Sequence, residues 1–333
     1  MNFGKVGQVL TAKEIFDLIQ DELEQVEKKI GAEATASADA VTAIGQYLQS
    51  AGGKRLRPAL LLLAAKVAGD GGASAVRLGA VVELIHAATL VHDDVIDAAE
   101  MRRGRPSSNV KWGNHTCVLA GDWLYMQAFQ IALRERNFQI LDRLIGLTQI
   151  MVEGELLQLE RIGKIEISEA DCMEIVDRKT ARLFSVCARL GALAGGGDSM
   201  VQEKLGEYAW NLGMAFQLVD DVFDFTAREK TLGKPVGGDL REGKVTLPLV
   251  YALESATGDE RKLVGAILRQ RNYNVVPFAR ILALLEKYNA TERVRERAQA
   301  FTEKARLLVS EFPDSPYQRA LLAVTELVTG RDH

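Results

Sequence analysis

A chain of 333 residues with 47% hydrophobic content can bury a large core, as two domains or as one large one. Its 41 Lys and Arg stand against 45 Asp and Glu, a net charge of −4. That balance argues against a nucleic-acid binder, which normally carries a basic face.

Residues 11–50 read as helical, with Ile15, Leu18, Ile19 and Leu23 recurring at helical spacing among acidic and basic residues. Gly52-Gly53 breaks that pattern and opens a basic loop, Lys54-Arg55-Leu56-Arg57, before Pro58 starts a helix at a favoured first-turn position. A short basic run is usually a solvated loop. Glycines beside Lys54 and Arg57, leading into a helix N-terminus, also suit an anion site. Gly69-Asp70-Gly71-Gly72 is a turn, and the next helix runs through His86 to three carboxylates, Asp93, Asp94 and Asp97. Asp93 and Asp97 are four residues apart and share one helix face. Carboxylates so close need a cation between them, and Mg²⁺ binds through one or two carboxylates, waters and phosphate oxygens. Arg102 and Arg103 follow in a second basic loop, suited either to salt bridges with these aspartates or to forked contacts with phosphate.

Helical patterns continue from Asn114 to Gln158, where Trp123, Met126 and Phe129 are core residues or the far wall of a tunnel. Lys179-Thr180 sits within a further helix that ends at Gly195-Gly196-Gly197. Phe216-Gln217 then leads into Asp220, Asp221 and Asp224, a second Asp-Asp-x-x-Asp cluster ending an apolar helical run. The two copies together predict facing acidic helices whose Mg²⁺ ions hold a diphosphate. Gly238 to Lys244 imitates a nucleotide phosphate loop but has Val245 where Ser or Thr is required and no strand before it, so that reading is rejected. Thr246 to His333 reads as helical. Strand signals are nearly absent, and the prediction is an all-α protein, a single large domain over residues 1–333.

Cys117, Cys172 and Cys187 lack metal-ligand spacing and fit buried thiols in a reducing compartment. Met1 to Leu10 has no basic-then-apolar leader, and the longest apolar run, Pro58 to Ala65, is too short to span a bilayer. A cytoplasmic protein without a transmembrane segment is expected.

The paired aspartate motifs, with Gly52 to Pro58 upstream and Ile85 to Gly104 around the first motif, resemble the trans-polyprenyl diphosphate synthase family. The long-chain, octaprenyl-type members match most closely. The resemblance spans roughly residues 10–330. It implies a helical bundle around a deep central cavity, a homodimer, and condensation of isopentenyl diphosphate with an allylic diphosphate such as farnesyl diphosphate. Two to three Mg²⁺ ions per active site would be held by the six aspartates. By the same resemblance, isopentenyl diphosphate is bound by Lys54, Arg57, His86 and Arg103. The allylic diphosphate is bound by Arg102, Lys234 and Lys244, the last two capping the second acidic cluster, and Lys179 with Thr180 faces the reacting carbon. Thr180 and Gln217 face the allylic cation, and the released diphosphate takes the final proton. Ala88 and Thr89, about 6 to 7.5 Å upstream of Asp93 at 1.5 Å per residue, are expected beneath the reacting end. Short-chain members carry aromatic blockers near there, so small residues predict a long product. Its release would involve contact with a membrane surface.

Three rivals compete. A metal-dependent phosphohydrolase would use His92, Asp93, His86 and His115, and would leave the second cluster idle. A non-catalytic subunit of a heteromeric synthase would be expected to lose aspartates from one motif. A terpene cyclase would not need Lys54, Arg57 and His86.

Overall fold

The computed structural model describes residues 10–50, 52–53, 55–226 and 236–330, so Lys54 and Lys234 lie outside the described residues. The N-terminal region forms helices α1 (Ala12–Asp17), α2 (Gln20–Glu33) and α3 (Asp39–Ser50). Then come α4 (Leu56–Ala68) and α5 (Gly72–Ile96), and a hairpin of two-residue strands, β1 (Met101–Arg102) and β2 (Arg105–Pro106). Helices α6 (Ser108–Trp112), α7 (Asn114–Leu133), α8 (Phe138–Arg161) and α9 (Glu169–Val176) follow. A π-helical segment, Asp177–Ala181, joins α9 to α10 (Arg182–Ala194), and α11 (Ser199–Thr226) carries the second motif. The chain finishes with α12 (Gly238–Arg241), α13 (Leu247–Ser255), α14 (Gly258–Gln270), α15 (Phe278–Lys287), α16 (Ala290–Ser310) and α17 (Pro316–Thr329). The all-α expectation holds.

The bundle centres on helices that are apolar on every side. In α4 every residue from Pro58 to Ala65 is buried. Each buried leucine there contributes about 1.5–3 kcal/mol of transfer free energy. Helix α10 lies directly on α4. A Cβ at Gly191 would stand 2.1 Å from the Leu61 carbonyl oxygen, and one at Gly195 would stand 2.4 Å from that of Ala65. Helix α4 begins at Leu56, capped by Arg55 in the left-handed region (φ 45°), so Pro58 occupies the first turn at its third residue. Helix α5 is long and apolar enough to cross a membrane, which Pro58–Ala65 alone did not suggest. Its apolar surface is spent instead on α4, α7 and α10. The three cysteines are buried free thiols.

This packing brings the C-terminal ends of α5 and α11 together with the π segment. Two glycines make the approach possible. A Cβ at Gly154 on α8 would meet Arg178 Cβ at 2.7 Å, and one at Gly213 on α11 would meet Ala181 Cα at 2.7 Å. The π segment is thus clamped between α8 and α11. Single-turn π-helices of this kind recur at functional sites.

Candidate active site

A cavity of about 320 Å³ opens beside the end of α5. Thr89, His92, Asp93, Glu155 and Lys179 supply its polar groups, while Val95, Ile96, Val118, Met151, Leu156 and Leu159 make most of its wall apolar. Charged groups beside a largely apolar lining suit an amphiphile with an anionic head.

Lys179 Nζ stands 2.5 Å from Glu155 Oε2 and donates to Gln158 Oε1 at 3.0 Å. Asp93 has its carboxyl pushed up to about 6, chiefly by burial, with Glu155 and Asp97 adding repulsion against the pull of Lys179 and Arg102. Thr180, buried in the π segment, donates from Oγ1 to Gln217 Oε1 (2.8 Å), and Gln217 Nε2 donates to Asp221 Oδ1 (2.9 Å). The two residues expected near the allylic carbon are therefore coupled to the second motif. Burial, then the Asp239 charge, drives the Asp221 carboxyl well above its ordinary range. Asp220 is exposed at the rim of α11.

The six aspartates are not equivalent. Asp94 is fully buried, accepting from Arg102 Nε (2.5 Å) and from the backbone N–H of Ser108 at the start of α6 (2.9 Å). Asp224, also buried, accepts from the backbone N–H groups of Gly238 (3.2 Å) and Asp239 (3.1 Å) and so anchors α12. Both were expected as metal ligands, and each also holds a neighbouring element in place. Lys244, expected to cap the second cluster, lies 2.9 Å from Asp97 Oδ1 of the first and 2.8 Å from Glu242 Oε2. Burial works against its charge, but Asp97, Glu242 and Asp239 outweigh it and raise its pKa.

Among the described residues no three acidic, histidine or cysteine side chains close into a ready-made metal cage. The donor chemistry still fits Mg²⁺. That ion usually takes one or two protein carboxylates and completes its shell with water and substrate phosphates. Asp93, its carboxyl pushed up by burial beside Asp97 and Glu155, is a carboxylate that a divalent cation would relieve.

A second cluster of cationic side chains lies near the start of α4. Arg57 Nε is buried without a hydrogen-bond partner, and its guanidinium carbon is 5.5 Å from the centre of the Phe184 ring. Burial lowers the Arg57 pKa, and Arg103 adds to the effect against Glu83. Arg55 is already spent, in ion pairs with Glu27 and with Glu83 (2.6 Å). Arg103, left-handed at φ 51°, donates to the Gly52 carbonyl. Burial, then the field of Arg57, Arg103, Arg102 and Arg55, holds His86 neutral.

The polyprenyl synthetase family model matches residues 38–285. The chain belongs to that family. It is 35% identical to the octaprenyl diphosphate synthase of Haemophilus influenzae, over 99% of this chain and 100% of the relative. A polyprenyl synthase from Caulobacter crescentus CB15, solved in complex with calcium and isoprenyl diphosphate, is 33% identical with a TM-score of 0.93. The match covers 98% of this chain and all of that one. A decaprenyl diphosphate synthase from Rhodobacter capsulatus is 32% identical with a TM-score of 0.91, covering 97% of this chain and all of its own. The chain is accordingly a prenyltransferase, of a class that generally needs divalent metals.

In this polyprenyl synthetase the cavity departs from the tunnel expected from sequence. Thr89 lines it, but Ala88 is fully buried in the core and does not. Helix α7 reaches the cavity through Val118 and Tyr125 and not through Trp123, Met126 or Phe129, and Met126 is 63% exposed. Glu155 and Gln158 went unremarked in the sequence. They are three apart on α8 and so share one face, but nothing in the sequence places that face against Lys179, which lies on another element. The histidine arrangement of a phosphohydrolase does not form. His92 packs on Gly121 with Nε2 3.0 Å from the Val118 carbonyl oxygen, and His115 is exposed.

Proposed function

We propose that this enzyme elongates farnesyl diphosphate with isopentenyl diphosphate, head to tail and all-trans, to an octaprenyl-type product. The observation that carries this reading is the cavity itself, lined by Asp93 and Lys179 and otherwise largely by apolar side chains. Residues 1–333 would work as one domain, as a cytoplasmic homodimer whose product leaves at a membrane surface.

Asp93 and Asp97 from α5 and Asp220 and Asp221 from α11 would hold two to three Mg²⁺ ions. When bound, these ions would neutralise charge on the departing diphosphate. Asp94 and Asp224 serve the same site indirectly, by fixing Arg102 and α12. Arg102, Lys179, Lys234 and Lys244 orient the allylic diphosphate, with Lys179 passing from Glu155 to phosphate oxygens. Lys54, Arg57, Arg103 and neutral His86 hold isopentenyl diphosphate, and the buried Arg57 gains an anionic partner for its Nε. The Thr180–Gln217 pair presents oxygen dipoles toward the allylic carbon as positive charge develops there. The double bond of isopentenyl diphosphate attacks that carbon, the C–O bond to diphosphate breaks, and the departing diphosphate takes the proton that restores a double bond.

The test is incorporation of labelled isopentenyl diphosphate into solvent-extractable product by the purified protein. Incorporation with farnesyl diphosphate and Mg²⁺, lost with a chelator, supports the reading. No incorporation beside an active control synthase refutes it.

A further inference from the structure

Lys244 reaches Asp97 from a turn, residues 237–243, that is held from behind by a segment with no part in the chemistry described above. Arg271 ends α14 in the left-handed region (φ 57°) and donates through Nη1 to the Glu242 carbonyl. Its guanidinium occupies the space a side chain would need at position 243, since a Cβ on Gly243 (φ +85°) would lie 1.8 Å from Arg271 Nη1. At the other end of the turn, Tyr273 donates its hydroxyl to the Gly237 carbonyl (2.7 Å). Gly237 (φ +66°) is also free of a side chain, and a Cβ there would meet the Tyr273 hydroxyl at 2.4 Å and the Phe278 ring at 2.5 Å. Phe278 stacks on Phe225, the residue after Asp224, with ring centres 6.3 Å apart and planes 8° from parallel.

The turn is therefore gripped from two sides. Asp224 holds α12 from within, through the Gly238 and Asp239 N–H groups, and Arg271 and Tyr273 hold both flanks from outside. Between these grips the backbone has little freedom, and the residue that leaves the turn is Lys244.

We propose that Arg271 and Tyr273 are positioning residues that hold the 237–243 turn so that Lys244 is delivered onto Asp97 at the diphosphate site. The kinetic part rests on the reading of Lys244 as an allylic diphosphate ligand, whereas the structural part does not.

The test separates the two. Full-length protein is treated with limiting acetic anhydride, and acetylation of Lys244 is measured by mass spectrometry against Lys262, whose side chain is 79% exposed. Arg271→Ala and the milder Tyr273→Phe should raise Lys244 labelling relative to Lys262. For Arg271→Ala the rise should be on the order of tenfold, the scale of one charge-assisted hydrogen bond. Arg271→Lys, which keeps a donor near the Glu242 carbonyl, should restore most of the protection. Unchanged Lys244 labelling in both Arg271→Ala and Tyr273→Phe overturns the proposal. In kinetics, both variants should raise the KM for farnesyl diphosphate and leave that for isopentenyl diphosphate in place, with no further rise when combined with Lys244→Ala. Raised labelling with an unmoved allylic KM supports the grip on Lys244 and refutes its assignment to the diphosphate.

Discussion

Replacing Thr89 with phenylalanine should convert this enzyme into a short-chain synthase. Thr89 stands one helical turn upstream of Asp93 and lines the cavity, about 6 Å from the reacting end at 1.5 Å per residue. A phenyl ring there occupies space that the farnesyl tail needs. Product should fall from octaprenyl-type to geranylgeranyl or shorter, and shorter primers should gain on farnesyl diphosphate. The neighbouring substitution has a different outcome. Ala88 is fully buried, so Ala88→Phe inserts a ring into packed core at a cost of about 1–3 kcal/mol. At roughly 2 °C per kcal/mol for a chain of this size, it should lower Tm by several degrees before it changes product length. The assay is chromatography of dephosphorylated products beside a thermal melt of each variant. Unchanged product length in a folded Thr89→Phe enzyme would refute the reasoning, because the growing chain would then not pass along this face of α5.

Asp93→Asn should abolish turnover yet raise the Tm of the metal-free protein at pH 7.5. The folded carboxyl is raised to about 6 from 3.8, so its ionised form costs stability above pH 6 and the cost disappears as pH falls below about 4. A melt series in chelator should show the gain from Asp93→Asn shrinking across that window, and a pH-independent difference would contradict it. Arg57→Met should raise the KM for isopentenyl diphosphate at least tenfold while leaving Tm unchanged or higher, because burial disfavours its charge and its Nε has no hydrogen-bond partner. Arg55→Met should instead destabilise the fold, stranding Glu27 and Glu83, and matched melts and kinetics separate the pair. Gly154→Val should lower kcat by displacing Arg178 and Lys179, which a Cβ at Gly154 already crowds, and unchanged kcat would show that the π segment does not depend on that contact.

Much of this site was legible from the chain alone, for reasons the structure makes plain. Asp93 and Asp97 share a helix face by spacing, and the apolar runs before each motif are the core faces of α5 and α11. Thr180 and Gln217 were expected around one carbon, and they meet at 2.8 Å. What escaped the sequence were choices made by tertiary partners. Asp94 and Asp224 look identical to their neighbours in the motifs, yet α6 and α12 present backbone N–H groups to them. The link from Lys244 to Asp97 joins residues on opposite sides of the sequence and carries no local signal. The π segment packs against two glycines on other helices, Gly154 and Gly213, and no pattern around Lys179 reveals it. The choice between Ala88 and Thr89 was recoverable, since a residue four before Asp93 shares its face more closely than one five before.

The most direct measurement is the length of the product made by the purified protein from farnesyl diphosphate, labelled isopentenyl diphosphate and Mg²⁺. A ladder of all-trans products ending at octaprenyl length is the predicted result. A distribution that stops at geranylgeranyl would contradict the claim that the cavity beneath Asp93 accepts a long chain.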